Sequence, residues 1–308
     1  MPARIIDGRA VAAEVRAECR TRVQRLGEQF GIVPGLAVVL VGENPASVVY
    51  VRNKVRACAD VGIRSTKLQF AGDIDPPTVI RAIEQLNNDP DIHGILVQLP
   101  LPQHFGLSEV LRTISADKDV DGFHLYNVGG LVVGDTVFPP CTPYGVLKLL
   151  DHEGIALEGK NVVVVGASNI VGKPMALMLM QRDATVCICH AKTRDLAQFT
   201  ILADVLVVAA GRSNLILPQM VKTGAVVIDV GINRLENGKL VGDVDFDGVR
   251  EKASFITPVP GGVGPMTVTM LLVNTIASAE RIAQGRAREF HPQGGASGLS
   301  PEASRDVA

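Results

Sequence analysis

The sequence predicts an α/β protein of two domains, the second of them a doubly wound parallel sheet. Apolar strand-like runs alternate with helix-periodic segments from the first residues to about residue 284. At 308 residues the chain exceeds one ordinary domain and fits two. The strands are unbroken apolar runs bounded by glycine, as in Asn161-Val-Val-Val-Val165-Gly166, a pattern of burial on both faces.

Taken in order, Val11 to Phe30 has helical periodicity and stops at Gly31. Leu36 to Val41 reads as a strand, Ala46 to Val61 as a helix closed by Gly62, and Lys67 to Phe70 as a strand. Pro77 to Asn87 follows as a helix and Ile92 to Leu99 as a strand. Between Asp119 and Thr142 the pattern gives way to Gly- and Pro-rich loop, which predicts a domain boundary and a first domain of residues 1–140. Regularity returns with the strands Asn161–Val165, Ala184–Cys189, Val205–Ala210 and Ala225–Val230, separated by helices, in a second domain of residues 141–264. A long helix from Pro265 to about Gln284 lies beyond that unit and is expected to complete the first domain as helix 265–286. Residues 287–308, rich in Gly, Ser and Ala, are expected to be disordered.

Composition excludes several function classes. Hydrophobic residues are 47% and charged residues 20%, with a net charge of −2 and no long basic run, which argues against nucleic acid. No stretch reaches the ~18 apolar residues of a membrane span, and the first residues form no signal segment. Five scattered cysteines, an odd number, suit reduced thiols in a cytoplasm. Cys187-Ile-Cys189-His190 lacks a second ligand pair, so no metal is expected. Asp117-Lys-Asp-Val-Asp121-Gly122 begins like a calcium loop, but Val128 stands where the closing glutamate belongs.

The chemistry-bearing segments are few. In Asn44-Pro-Ala-Ser-Val-Val-Tyr50-Val-Arg-Asn-Lys54, Tyr50 and Lys54 are four residues apart and share a helix face. An aromatic platform beside an amine suits a flat conjugated substrate; a solvated lysine behind a half-buried tyrosine is the plainer alternative. Gln98 ends an apolar strand, where open α/β sheets place ligands or merely a core-edge amide. Asp121 precedes Gly122, as an acceptor for a heterocycle's N–H groups or as an Asx turn. Pro258-Val-Pro-Gly-Gly-Val-Gly-Pro265 is either a rigid turn or a wall that lets backbone touch substrate.

Strand Val162–Val165 leads into Gly166-Ala-Ser-Asn-Ile-Val-Gly172-Lys-Pro174. A glycine turn opening a helix is what a pyrophosphate requires, although Ser168 replaces the middle glycine of the usual fingerprint. After the next strand, His190-Ala-Lys192 stands where an NAD enzyme carries an acidic residue. His190, Lys192 and Arg194 would attract a ribose phosphate, which favours NADP; three solvated polar residues are the alternative. A short-chain dehydrogenase also carries Tyr-x-x-x-Lys, but there the pair follows the nucleotide motif, whereas here it precedes it.

Together these motifs resemble the bifunctional methylenetetrahydrofolate dehydrogenase/methenyltetrahydrofolate cyclohydrolase family. The resemblance runs from Ile6-Asp-Gly8 through Pro45–Lys54, Leu96-Val-Gln98-Leu-Pro-Leu-Pro102, Lys118–Phe123, Pro140-Cys-Thr-Pro143 and Gly166–Pro174 to Pro258–Thr267. It implies two α/β domains flanking a cleft, the second Rossmann-type, with folate on the first and NADP on the second, and a homodimer formed largely through the nucleotide domain. It implies that Lys54 is the key catalytic group, assisted by Gln98, that Tyr50 stacks on folate and that Asp121 holds the pteridine. Pro258, Gly261, Gly262 and Val263 would line the folate site. Gly166, Ala167, Ser168, Ile170, Val171, His190, Lys192, Ile232 and Thr142 would meet the cofactor. Ala167 and Ala191 depart from members with arginine or serine there, which leaves the phosphate to Lys192 or Arg194. The implied reaction is NADP-dependent oxidation of 5,10-methylenetetrahydrofolate, then hydrolysis to 10-formyltetrahydrofolate. An NADP-linked dehydrogenase of another small molecule, or a nucleotide-binding regulator without turnover, are the competing functions; oxidation of another substrate without folate binding marks the first, and tight NADP binding without activity marks the second.

Overall fold

The computed structural model describes residues 2–285, so the segment 287–308 lies outside the described residues. The first part of the chain runs β1 (Arg4–Ile5), α1 (Gly8–Phe30), β2 (Gly35–Val41), α2 (Pro45–Val61), β3 (Arg64–Phe70), α3 (Pro76–Asn88) and β4 (Gly94–Val97). The short helices α4 (Leu107–Thr113) and α5 (Leu125–Val133) precede α6 (Cys141–His152). Then come β5 (Asn161–Val165), α7 (Gly172–Met180), β6 (Thr185–Cys189), α8 (Leu196–Thr200), β7 (Val205–Val208) and β8 (Val226–Asp229). The chain continues through β9 (Asn233–Arg234), β10 (Leu240–Val241), α9 (Phe246–Arg250), β11 (Phe255–Ile256) and α10 (Val263–Ala283).

Two parallel sheets result. The smaller has the order β3-β2-β4, and the larger β1-β11-β8-β7-β5-β6. Every residue of β2 is buried, as its unbroken apolar run requires. Helix starts are set locally. The Asn44 side chain accepts from the Ala46 and Ser47 N–H groups at the head of α2, Pro45 occupies the first turn, and Gly62 ends the helix at φ 85°. Such a cap contributes about 1 kcal/mol. Asp7 does the same for α1.

Helix α10 packs along both α1 and α6 and buries Met266, Met270, Leu271, Leu272 and Ile276 between them. It begins at Val263, two residues before the sequence-based start. Among the described residues no helix is long and apolar enough to cross a membrane.

The structure departs from the sequence expectations at two places. Residues 4–5 lie not with the first domain but at the edge of the larger sheet, where β1 pairs with β11; two residues carry too little periodicity to announce that pairing. The expected loop between Asp119 and Thr142 contains α5. Its Gly129-Gly130 pair signals a breaker in sequence, yet a Cβ on Gly130 would lie 2.6 Å from the Asp135 carbonyl. That glycine permits a close approach and does not interrupt the helix.

Candidate active site

The Lys54 side chain leaves α2 inward and is only 8% exposed. Its Nζ donates to Gln98 Oε1 at 3.1 Å, and Gln98 Nε2 donates to the Leu99 carbonyl at 2.7 Å. The second bond fixes the amide so that its oxygen faces the amine. Gln98 follows β4 directly, at the carboxyl end of the smaller sheet. A charged amine this far from water must be partnered, and Gln98 supplies one partner. The carboxylate of Asp121 supplies opposite charge nearby. Burial pushes the Asp121 carboxyl above the usual range, while the Lys54 ammonium pulls it back.

Asp121 is held by a buried scaffold. Asp119 bridges to Ile95 of β4, which lays residues 118–122 alongside that strand. The Asp119 carboxylate accepts from the His124 N–H at 2.7 Å and from Asn127 Nδ2 at 2.8 Å. Burial lifts its pKa to about 6 despite those donors. Asn274 of α10 donates to the carbonyls of Val120 and Pro139 at 2.9 and 3.0 Å, tying this segment to the start of α6. Lys118 turns away and donates to the Leu86 and Asp89 carbonyls at the end of α3.

Asn53, the neighbour of Lys54 on α2, lines a cavity of about 720 Å³ whose wall does not include Lys54, Gln98 or Asp121. Ala46, Val49, Tyr50 and Asn53 of α2 line one side; Ile232 and the Pro258–Val263 loop line the other. Tyr50 is 38% exposed and partial burial raises its hydroxyl pKa. Gly8 explains the Asp-Gly pair at the start of α1: a Cβ there would sit 1.8 Å from the Gly262 carbonyl, so the loop packs directly on the helix. The structure thus brings Tyr50, Pro258, Gly261, Gly262, Val263 and Ile232 to one cavity, and gathers the buried Lys54 with the half-buried Gln98 and Asp121.

The glycine turn lies in the larger sheet. Both β6 and β7 flank β5, so the chain reverses direction across the sheet there and leaves a crevice at the carboxyl end of β5. Gly166 sits at φ 123°, and a Cβ on it would be 2.2 Å from the Ala209 carbonyl. A Cβ on Gly172 would be 1.9 Å from the Gly166 carbonyl. Ser168 turns its hydroxyl onto the head of α7, accepting from the Val171 and Gly172 N–H groups at 3.1 and 3.3 Å. Ala167 and Val171 are partly exposed and Ile170 exposed along the same turn. One strand over, His190 Nδ1 accepts from the Lys192 N–H at 3.1 Å, and His190, Lys192 and Arg194 are all exposed. Thr142 lies apart from this turn in α6, its hydroxyl 3.0 Å from that of Thr267 on α10. A backbone cradle only glycine can form, a helix amino terminus and an exposed cationic turn fit a phosphorylated dinucleotide.

Two family models match the chain: tetrahydrofolate dehydrogenase/cyclohydrolase, catalytic domain, over residues 6–121, and its NAD(P)-binding domain over residues 140–283. The bifunctional protein FolD of Nitrosospira multiformis is 61% identical over 281 residues, 91% of this chain and 97% of that protein. The chain belongs to the tetrahydrofolate dehydrogenase/cyclohydrolase family. The FolD crystal structure from Campylobacter jejuni, a methylenetetrahydrofolate dehydrogenase/cyclohydrolase, superposes with a TM-score of 0.89 at 52% identity, covering 90% of this chain and 99% of that one. The Trypanosoma brucei family member, solved with NADP and an inhibitor, gives 0.89 at 39% identity over 92% of this chain and 99% of that one.

Several residues of the site escape sequence reasoning. Asn53 continues the α2 stripe at i+3 from Tyr50, a signal present in the helical spacing. Arg9, Arg16 and Arg234 reach the cavity from distant segments and carry no local signal. Asp229, whose pKa burial lifts to about 6, accepts from the Gly231, Asp243 and Val244 N–H groups. Asp243 in turn accepts from Ala210, Gly211 and Arg212. These two carboxylates tie the loops after β7 and β8 to each other.

Proposed function

We propose that the chain oxidises 5,10-methylenetetrahydrofolate with NADP and hydrolyses the resulting 5,10-methenyl group to 10-formyltetrahydrofolate, with Lys54, Gln98 and Asp121 as the working side chains. As a family member it is a methylenetetrahydrofolate dehydrogenase and methenyltetrahydrofolate cyclohydrolase that uses NADP. The observation that carries the residue roles is the Lys54–Gln98 contact, with Asp121 close enough to feel the Lys54 charge, on the same helix α2 whose Tyr50 and Asn53 line the cavity opposite the Pro258–Val263 loop.

In this reading the pteridine N–H groups donate to the Asp121 carboxylate, while Tyr50 stacks on the flat part of the substrate. Both orient the methylene carbon and add no chemical group of their own. Bound NADP supplies the hydride acceptor. Gly166, Ala167, Ser168, Ile170 and Val171 would hold its pyrophosphate, His190 and Lys192 its ribose phosphate, and Thr142 and Ile232 its nicotinamide end. For hydrolysis, water adds to the methenyl carbon and loses a proton. Lys54 moves a proton to the ring nitrogen whose bond to that carbon breaks, leaving the formyl group on the other nitrogen. Gln98 keeps the amine aimed, since its amide oxygen is already committed to Nζ.

We assign folate to residues 1–140 together with α10, and NADP to residues 141–264. A homodimer through the nucleotide domain is supported by the edge of β6, which among the described residues pairs only with β5 and where Ile188 is 39% exposed, and by Phe199 and Leu202 of the adjoining segment, 39% and 64% exposed. A cytoplasmic location agrees with the free cysteines. The test is a coupled absorbance assay: purified protein with NADP should form methenyltetrahydrofolate and then consume it. Absence of both signals with folate, alongside oxidation of another substrate, would transfer the assignment to a different dehydrogenase.

A further inference from the structure

Helix α10 is mostly apolar, yet it carries one polar stripe. Thr267, Asn274 and Ser278 are spaced by seven and four residues, so they share a helical face. Asn274 is only 2% exposed. An amide costs free energy to bury unless its hydrogen-bonding groups are matched. The Asn274 Nδ2 group has two hydrogens and two carbonyl acceptors, Val120 at 2.9 Å and Pro139 at 3.0 Å.

Those two carbonyls belong to different segments. Val120 directly precedes Asp121, and Pro139 lies two residues before Cys141, where α6 begins. The segments touch: the Cys141 thiol donates to the Val120 carbonyl at 3.3 Å, and a Cβ on Gly122 would be 2.6 Å from the Pro140 nitrogen. Asn274 reaches both from a third element and fixes how they sit against each other.

The Asp121 side of this junction has anchors of its own. Asp119 bridges to β4, and its carboxylate holds the His124 N–H and the Asn127 amide. The α6 side starts without a side-chain cap. Its Thr142 meets α10 through hydroxyls 3.0 Å apart, at Thr267. Loss of the Asn274 amide therefore loosens the head of α6, with Thr142, more than it loosens Asp121.

The two ends do different work in the function proposed above. Asp121 orients folate for both reactions, whereas Thr142 meets the nicotinamide, which only the oxidation uses. Hydride transfer needs both partners at one separation, and a misplacement of about 1 Å can cost about 10²-fold. We propose that Asn274 is a positioning residue for hydride transfer, setting the separation between the folate anchor at Asp121 and the nicotinamide end at Thr142. The proposal rests on the roles given to those two residues, and Asn274 acts through the backbone of both segments.

The experiment reads the two activities separately. Asn274→Ser keeps a polar group too short to reach both carbonyls. Its dehydrogenase kcat should fall by about 10–10²-fold. The deuterium isotope effect with methylene-labelled substrate should rise as hydride transfer becomes rate-limiting. Cyclohydrolase activity, with methenyltetrahydrofolate supplied directly, and KM for NADP should stay within about twofold of wild type. Asn274→Gln keeps both donors on a stem one methylene longer and should move the ratio of the two activities in the same direction.

Ser278→Ala is the control. The Ser278 hydroxyl donates to the Asp117 carbonyl at 2.9 Å, so its loss breaks a bond of the same helix to one segment alone. It should lower the melting temperature as Asn274→Ser does and leave the ratio of activities at the wild-type value. Activities that fall together in Asn274→Ser, an unmoved ratio, or an equal shift in Ser278→Ala overturn the role of Asn274. Wild-type protein that forms no methenyltetrahydrofolate with NADP overturns the underlying folate function instead, so the two failures are distinguishable.

Discussion

At the scale of single residues, the central feature is an amine removed from water and held by one amide. Lys54 donates to Gln98 Oε1, and Gln98 cannot rotate without losing its own bond to Leu99. Lys54→Met preserves volume while removing the proton carrier. Cyclohydrolase activity should fall by about 10²–10⁴, with methenyltetrahydrofolate accumulating in the absorbance assay; a variant that still hydrolyses at the wild-type rate would remove Lys54 from the mechanism. The cofactor turn makes a second residue-scale prediction. Lys192 is exposed, and its N–H rather than its ammonium is engaged by His190. Its charge is therefore available to a ribose phosphate. Lys192→Ala should raise KM for NADP by about tenfold and leave KM for NAD unmoved; equal effects on both would place the phosphate elsewhere.

At the scale of elements, the strand-to-helix turn from β5 to α7 is set by contacts that exclude any Cβ. Gly166 combines a φ of 123° with a carbonyl 2.2 Å from where a Cβ would stand. Gly166→Ala should cost about 1–3 kcal/mol, read as a lower melting temperature, and should weaken NADP binding more than folate binding. A variant that melts and binds as the wild type does would show that the turn relaxes freely. The edge strand β6 offers a second element-scale handle, since its exposed Ile188 supports the proposed dimer. Ile188→Arg should shift sedimentation from dimer towards monomer without loss of helix content; an unchanged sedimentation coefficient would move the interface elsewhere.

At the scale of the whole molecule, two buried carboxylates tie stability to pH. Asp119 and Asp229 have pKa values lifted by burial from 3.8 to about 6. Between those values the folded state binds more protons than the unfolded chain. Each group therefore stabilises the fold fully below pH 3.8, and that contribution is lost as pH rises through 6. A shift of this size corresponds to about 3 kcal/mol per group. Denaturant unfolding between pH 4.5 and 7.5 should show this falling component, and Asp119→Asn should remove its share. A variant with the wild-type slope would mean that Asp119 does not titrate in that window. Activity should run the opposite way, because the ionised Asp119 is what grips the His124 N–H and the Asn127 amide beneath Asp121.

Much of this was legible in the sequence because it is local. The periodicity of α2, its Asn44 cap, the buried run of β2 and the glycine turn after β5 each depend on a few consecutive residues. The order of motifs along the chain was enough to point to the family. Other features belong to packing alone. Lys54 and Gln98 are 44 positions apart and meet only because α2 lies against the strands of the smaller sheet. Residues 4–5 join the sheet of the other half of the chain, and α5 forms through a glycine pair that local rules count against it. Arg9, Arg16 and Arg234 reach one cavity, and Asp119 and Asp229 lose their water, when distant segments close around them. Propensity acts between neighbours in sequence, whereas burial and charge depend on neighbours in space, and only the folded chain brings those together.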